Sequence, residues 1–318
     1  MTDYRRKKKR RKRSTLVLCI VVEIAAVLAL ILMLGWKYDF VSWVSQLGKP
    51  VVRELDISGI NSSYAVLMQA RGGKILGEIN GEETMYPASM TKIMTAIVAI
   101  EELGDLEQEI TLTNEMFAGL YERDATQAGF QPDETVRAID LLYGVMLPSG
   151  AECCIALADT IAGSEEGFVE LMNQKAEKLG MDDTHFCDST GLHDPNHYST
   201  VKDIAILLKY AIRNDVFREI IESSYHSTPG TNIHPDGITF YNSMFNHLPD
   251  PTVTGGKILG GKTGFTNDAG LCLASFAEID GTEYILVTGG AFSGGTPHIT
   301  DAVTIYNRLG EAALALKE

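Results

Sequence analysis

Two side chains that together could carry out nucleophilic catalysis lie three residues apart, Ser89 and Lys92. On a helix this spacing places them on one face, one turn apart. A serine in the first helical turn meets the positive end of the helix dipole, which favours alkoxide character. A lysine one turn deeper among apolar side chains is costly to keep charged, so it can accept the serine's proton. The pair therefore predicts a serine nucleophile with a lysine base.

The helix that would carry this pair is predicted from the residues that follow it. The run from Ile93 to Ile100 is apolar nearly all round, which is typical of a buried helix, and Gly104 is a stop signal. A capping serine and a snorkelling lysine are the structural alternative, because about one Ser-x-x-Lys is expected by chance in a chain of this length. A second match, Ser199 to Lys202, illustrates that risk. There Thr200 is followed three residues later by Asp203, a pattern that predicts a helix N-cap.

Two further stretches could complete an active site. Ser149 lies between two predicted helices, where its hydroxyl could shuttle a proton. Lys262 and Thr263 lie on a predicted strand between Gly261 and Gly264, and glycine lets a substrate backbone approach closely. A lysine and a threonine hydroxyl together suit a carboxylate. In isolation this second stretch would be interpreted as an exposed edge strand.

Strand patterns lie near both ends of the chain, and helical patterns lie between them. The predicted strands are Ser63–Ala70, Ile75–Asn80, Gly261–Phe265, Leu271–Ile279 and Glu283–Phe292. The predicted helices after the first are Thr135–Met146, Glu152–Ala162, Gly167–Leu179, Thr200–Arg213 and His298–Leu316. This order predicts an α+β fold: an antiparallel sheet closed by distant segments and flanked by helices, plus a mostly helical subdomain.

The three chemical stretches resemble those of the serine D-alanyl-D-alanine carboxypeptidases, the low-molecular-mass penicillin-binding proteins. The resemblance covers about residues 60 to 310 and implies a β-lactamase/transpeptidase-like fold. It extends to four longer phrases in the family's order and spacing: Tyr86–Ala96, Asp140–Gly144, Asn196–Thr200 and Lys262–Thr266.

The resemblance implies a role for each side chain. Ser89 would attack the carbonyl between the two terminal D-alanines of a peptidoglycan stem peptide. Lys92 would take its proton and later activate water, and Ser149 would relay a proton to the leaving D-alanine. No metal or cofactor is implied.

The resemblance also implies how substrate is held. Lys262 and Thr263 would bind its terminal carboxylate, with Gly264 allowing close approach. The backbone N–H groups of Ser89 and Phe265 would form the oxyanion hole. β-Lactams would mimic the dipeptide and acylate Ser89.

The chain departs from the family pattern at Ala151, where the second motif should end in asparagine. Water or the neighbouring Glu152 would have to replace the missing amide. We expect the Glu152 side chain instead to point into solvent from the start of its helix. The family's C-terminal β-domain and amphipathic tail anchor are also not expected here, so an N-terminal helix would provide the anchor.

Charge and hydropathy predict that anchor. The chain has 318 residues and a net charge of −15, but residues 1–13 contain nine Lys or Arg against one Asp, a net of +8. Residues 14–318 therefore carry −23, which argues against a nucleic-acid partner. The apolar run from Leu16 to Leu34, interrupted only by Glu23, nearly spans a hydrocarbon core of ~30 Å.

The basic residues before this run predict a cytoplasmic N-terminus and an exported body. A cleaved signal peptide is the alternative, although no A-x-A-like site follows the run. The predicted organisation is a basic cytoplasmic tail (1–13), a single-pass transmembrane signal anchor in the cell membrane (14–36), a linker (37–58) and an extracytoplasmic serine peptidase domain (59–318).

Three other functions were weighed against the carboxypeptidase. A serine β-lactamase shares the three motifs, but Asn196–Thr200 and the anchor favour the carboxypeptidase. A catalytically weak penicillin-binding envelope protein is supported only by Ala151. A zinc carboxypeptidase would need ligands such as His193 and His197, but Pro195 between them opposes a helix, and no H-E-x-x-H is present.

Overall fold

The computed structural model describes residues 52–317, which contain the whole of the predicted active site. The predicted tail (1–13) and anchor (14–36) lie outside the described residues. Between residues 52 and 317, no helix combines the length and apolar character needed to cross a membrane. Residues 52–58 of the predicted linker run beside the sheet, where the Leu55 N–H donates to the Leu76 carbonyl.

An antiparallel sheet forms the framework of the described part. In spatial order its six strands are β2 (Ile75–Ile79), β1 (Tyr64–Gln69), β10 (Thr282–Ala291), β9 (Gly270–Ile279), β8 (Gly256–Thr266) and β7 (Thr252–Val253). The first strand in the chain pairs with the last, with Tyr64 opposite Gly289 and Gln69 opposite Tyr284. This confirms the prediction of a sheet closed by distant segments.

Helices occupy most of the chain between the two groups of strands. They are α1 (Lys92–Glu102), α2 (Ala138–Met146), α3 (Ala151–Ala162), α4 (Glu165–Leu179), α5 (Val201–Ala211), α6 (Asp215–Glu222) and α7 (Ser243–His247), and α8 (Pro297–Ala315) follows the sheet. Two short strand pairs accompany them: β3 (Glu109–Thr111) with β4 (Thr135–Arg137), and β5 (Tyr225–Ser227) with β6 (Thr239–Tyr241).

Successive side chains of a strand point to opposite faces of the sheet. Both faces of this sheet are buried, each by its own hydrophobic core. On β1, Val66 packs into the core under the helical subdomain, whereas Leu67 packs into a second core that α8 covers. The larger core surrounds α1, in which every residue from Lys92 to Ile100 is buried. The prediction that this helix is enclosed is confirmed, and its enclosure fixes the direction in which its first turn points.

Two predicted elements begin at other residues than expected, and one helix was missed. The helix predicted from Thr135 begins at Ala138, because Thr135–Arg137 pairs as β4 with β3 through backbone and Thr111–Thr135 hydroxyl contacts. The strand predicted from Gly261 begins at Gly256; its glycines lower strand propensity, but pairing with β9 outweighs that. Helix α6, capped by the Asn214 side chain, was not predicted.

Candidate active site

Ser89 lies on a single 3₁₀ turn, Ala88–Thr91, that runs directly into α1 at Lys92. Ser89 and Lys92 therefore lie one turn apart, as predicted. The serine, however, precedes the α-helix instead of lying within it. Lys92 Nζ is 3.2 Å from Ser89 Oγ. Ala88 has a φ of +47°, so the chain accepts a strained conformation immediately before the serine.

The amine of Lys92 is fixed by a second contact. Its Nζ donates a hydrogen bond to the Thr190 carbonyl at 2.6 Å, and the side chain is buried. A buried lysine amine needs such a partner, because an unsatisfied donor away from water costs free energy. Lys92 therefore stands between a fixed acceptor and the Ser89 hydroxyl.

The loop that supplies this carbonyl is organised by Asp188. Its Oδ1 accepts hydrogen bonds from the Thr190 N–H, the Thr190 hydroxyl and the Gly191 N–H. Gly191 has a φ of +79°, and a β-carbon there would overlap the Ala88 carbonyl oxygen. This loop was not predicted to be part of the active site. The run Asp188–Gly191 could have indicated this loop, because an aspartate can accept hydrogen bonds from the backbone N–H groups that follow it.

His197 contacts both the Ser89 turn and the segment that precedes Asp188. Its Nδ1 accepts from the Cys187 N–H at 3.3 Å, so the proton resides on Nε2, which donates to Thr91 Oγ1 at 2.8 Å. Burial lowers the pKa of His197, while Asp188 opposes that change. The neutral imidazole thus positions Thr91, the last residue of the Ser89 turn.

Strand β8 brings the third stretch to the serine. A β-carbon on Gly264 would lie 3.1 Å from the Ser89 nitrogen, so glycine is what permits the strand to approach the 3₁₀ turn this closely. Thr263 Oγ1 is 2.6 Å from Ser243 Oγ at the start of α7, a partner that the sequence did not reveal. Lys262 is fully buried, and its Nζ donates to the Thr263 carbonyl at 3.0 Å.

The two lysines share one water-poor cleft. Burial lowers the pKa of Lys262 well below its usual range, and the nearby Lys92 lowers it further. A positive charge on Lys262 is therefore costly here, because it is desolvated and because any charge on Lys92 repels it strongly at a low local dielectric constant. An anion bound beside Lys262 would relieve that repulsion, which suits this part of the cleft to a carboxylate.

The outer edge of β8 is open where it passes Ser89. Strand β7 pairs only with Gly256 and Lys257, so the later residues of β8 have no strand on that side within the described part. The Phe265 side chain is 60% exposed there. An open edge can accept an extended peptide as an additional strand.

Ser149 lies in the turn between α2 and α3. It has a φ of +73°, and its buried Oγ has no hydrogen-bond partner among residues 52–317. A strained backbone and an unpaired buried hydroxyl are both costly, and such features concentrate at functional sites. The preceding Leu147 carbonyl accepts from the Ser243 N–H, which ties this turn to the residue that contacts Thr263.

The Glu152 side chain does not point into solvent, contrary to the expectation. It is fully buried, and its Oε1 accepts hydrogen bonds from the Ala128 and Gly129 N–H groups at 2.7 and 3.0 Å. Burial raises the pKa of Glu152, although those two N–H groups favour the charged form. The expectation was wrong because loop 126–129 folds over the start of α3 and needs an acceptor.

The second Ser-x-x-Lys is structural, as predicted. Thr200 caps α5 by accepting from the Asp203 N–H. Lys202 instead forms ion pairs with Glu78 and Glu82. The Ser199 hydroxyl contacts Thr184.

Comparison with known proteins agrees with this geometry. Residues 51–293 match the Peptidase S11 family, D-alanyl-D-alanine carboxypeptidase. The chain is 31% identical over 230 residues to the D-alanyl-D-alanine carboxypeptidase DacF of Bacillus subtilis, a match covering 71% of this chain and 57% of DacF. It is 40% identical over 176 residues to DacC of Escherichia coli, covering 52% of this chain and 42% of DacC.

The fold agrees as well. The crystal structure of the Streptomyces K15 DD-transpeptidase superposes with a TM-score of 0.72 at 25% identity, covering 80% of this chain and 98% of that one. The chain spans about half the length of the curated carboxypeptidases just named.

We predict that Glu152→Ala lowers the free energy of unfolding by about 2–4 kcal/mol, because it leaves two N–H groups without an acceptor. Glu152→Gln keeps an acceptor oxygen and is the matched control. Amide hydrogen exchange at Ala128 and Gly129 should accelerate in the alanine variant only. Equal exchange rates in both variants would show that Glu152 does not hold the loop.

Wild type and Glu152→Gln together give a pH test. Because burial raises the pKa of Glu152, the folded chain keeps a proton that the unfolded chain has released above the ordinary value of 4.5. Wild type should therefore lose stability relative to Glu152→Gln as the pH rises from 4.5 towards 7. A difference in unfolding free energy that does not change with pH would contradict the raised pKa.

Proposed function

Because the chain belongs to the Peptidase S11 family of D-alanyl-D-alanine carboxypeptidases, we propose that it removes the terminal D-alanine from peptidoglycan stem peptides and is inhibited by β-lactams. The observation that carries this proposal is the contact of Lys92 Nζ with Ser89 Oγ beside the Lys262–Gly264 segment of β8. The family match favours this function over a β-lactamase.

In the proposed acylation, Ser89 Oγ attacks the carbonyl carbon between the two D-alanines. Its proton passes to the neutral amine of Lys92, whose Nζ is 3.2 Å away and is held in place by the Thr190 carbonyl; Lys92 becomes an ammonium in this step. The negative charge that develops on the carbonyl oxygen is stabilised by the N–H groups of Ser89 and Phe265. Proximity of base and nucleophile replaces the activation that a histidine gives in other serine enzymes.

The leaving D-alanine needs a proton and a counter-ion. Lys262 and Thr263 bind its carboxylate, and that negative charge offsets the repulsion between the two buried lysines. As the C–N bond breaks, the proton held by Lys92 passes through the Ser149 hydroxyl to the departing amine. The unpaired Ser149 Oγ is free to accept and donate in this relay. Water, deprotonated by Lys92, then hydrolyses the acyl-enzyme and the proton returns to Ser89.

Ala151 removes one substrate contact without removing any of these steps. Glu152 Oε1 holds loop 126–129, whereas Oε2 is buried without a hydrogen-bond partner among residues 52–317, so only this second oxygen is available to replace part of the missing contact. A lost amide of this kind costs roughly a hundredfold in rate, which a functioning enzyme can tolerate. We therefore propose a slow but active carboxypeptidase.

We predict that Ser89→Ala abolishes D-alanine release from a diacetyl-lysyl-D-alanyl-D-alanine peptide, because no other hydroxyl in the cleft contacts the lysine base among the described residues. Ser199→Ala, which alters the structural Ser-x-x-Lys, should retain the activity. The purified full chain in detergent is assayed for free D-alanine, with fluorescent penicillin labelling of each variant in parallel.

Two results would replace the proposal. Wild-type release no faster than that of Ser89→Ala, with penicillin still bound, would indicate a penicillin-binding protein without peptidase activity. Rapid turnover of penicillin by wild type would indicate a β-lactamase.

We propose further that residues 14–36 anchor the chain in the cell membrane as a single pass, with residues 37–318 on the extracytoplasmic side. The support is the net charge of +8 in residues 1–13, followed by a nineteen-residue run interrupted by one carboxylate. The proposed substrate is a component of the cell wall, which lies outside the cell membrane. The catalytic domain must therefore lie on the extracytoplasmic side to reach it.

Protease added to intact spheroplasts should digest the catalytic domain and leave the basic tail protected. Digestion of the tail instead would mean an inverted topology. A mature N-terminus after residue 34 would show a cleaved signal peptide.

A further inference from the structure

A pocket of about 260 Å³ lies beyond the end of β8, and the proposed catalytic steps do not use it. Its walls come from five segments: the start of β1, the lead-in to the Ser89 turn, the loop after Gly191, the β8–β9 turn and the end of β10. The side chains that give it its character are Tyr64, Tyr86, Tyr198, Phe292 and Asp268.

The pocket lies on the acyl side of the scissile bond. Along β8 the proposed carboxylate site is at Thr263 and the proposed oxyanion donor is at Phe265, so the substrate runs from its C-terminus towards higher residue numbers. Asp268 follows Phe265 by three residues, just past the strand's last residue, Thr266. An extended chain advances about 3.3 Å per residue, so the residue before the attacked D-alanine reaches this turn.

The residues that precede Ser89 also place the pocket beside the nucleophile. Tyr86 precedes Ser89 by three residues and lines the pocket. Its ring meets the His193 ring edge-on, with centroids 4.7 Å apart. His193 Nδ1 in turn lies 3.7 Å from Asp268 Oδ2, so these groups connect the nucleophile turn to the β8–β9 turn.

The chemistry of the walls selects a cation. Asp268 carries the only formal charge among the described residues that line the pocket, and its side chain is 54% exposed. Tyrosine and phenylalanine rings line the same pocket, and an ammonium group is attracted to the face of an aromatic ring. Phe292 is 68% exposed, so this aromatic wall is open to an incoming ligand.

We propose that this pocket binds the side-chain ammonium of the stem-peptide residue that precedes the attacked D-alanine, with Asp268 as its counter-ion. The proposal rests on the proposed function, since that function sets the direction of the substrate. It makes Asp268 a specificity-determining residue: it acts on the acyl donor and takes no part in the proton transfers.

Two peptides that differ by one acetyl group test the proposal. Nα-acetyl-L-lysyl-D-alanyl-D-alanine keeps a free side-chain ammonium, and Nα,Nε-diacetyl-L-lysyl-D-alanyl-D-alanine does not. The full chain in detergent is assayed at pH 8 and low salt, where charge screening is weak. We expect wild type to prefer the free ammonium by about three- to tenfold in kcat/KM.

Asp268→Asn should reduce that preference to about one while changing kcat/KM for the diacetyl peptide less than twofold. Asp236→Asn, an exposed aspartate outside the pocket, should keep the wild-type preference. No preference in wild type, or a preference that survives in Asp268→Asn, would overturn the proposal.

Failure of the proposed function gives a different result. If neither peptide is hydrolysed, the two peptides are compared as competitors of fluorescent penicillin labelling, and the ratio of their apparent affinities replaces the ratio of kcat/KM. A ratio above three that Asp268→Asn removes supports the pocket even without hydrolysis. A ratio near one overturns it.

Discussion

The active site depends on a lysine amine held in one position by a backbone carbonyl. Lys92 is buried, its Nζ is 2.6 Å from the Thr190 carbonyl oxygen, and Ser89 Oγ is 3.2 Å away on the other side. A buried amine that lacked this acceptor would pay a desolvation cost or turn towards water. The Asp188–Gly191 loop is therefore as necessary to the nucleophile as the lysine itself. Asp188 holds the loop through three hydrogen bonds.

The rest of the fold brings β8 against this pair. The sheet is closed by pairing of its first and last strands in the chain, and α1 is enclosed between the sheet and the helical subdomain. Gly264 then lets β8 pass the Ser89 nitrogen closely, since a β-carbon there would lie only 3.1 Å from that nitrogen. Because these contacts come from segments far apart in sequence, the cleft is complete only when the whole described domain has folded.

Much of the fold was predictable because its signals are local. The strand patterns near both ends of the domain and the apolar run after Lys92 specify elements without tertiary context. The strand β4 was not predictable, because three residues carry too little pattern and pairing with β3 decides their conformation. The length of β8 was hidden by its glycines, which weaken the strand signal while allowing the approach to Ser89.

The predicted catalytic residues were recognisable because Ser89, Lys92, Lys262 and Thr263 lie in short motifs. Their supporting residues were not recognisable, since they act through tertiary contacts. Ser243 reaches Thr263 from twenty residues away, and Thr190 reaches Lys92 from ninety-eight. Glu152 shows the same limit: at the start of a helix it was expected to be solvated, yet a loop from outside the helix buries it.

Peptide mapping of the chain after reaction with penicillin tests the central claim most directly. Trypsin separates the relevant serines, because residues 75–92 contain Ser89 and residues 179–202 contain Ser199. The account predicts one penicilloyl group, located on Ser89 in the 75–92 peptide. An adduct on any other residue, or a chain that remains unmodified at saturating penicillin, would contradict the assignment of Ser89 as the nucleophile that Lys92 activates.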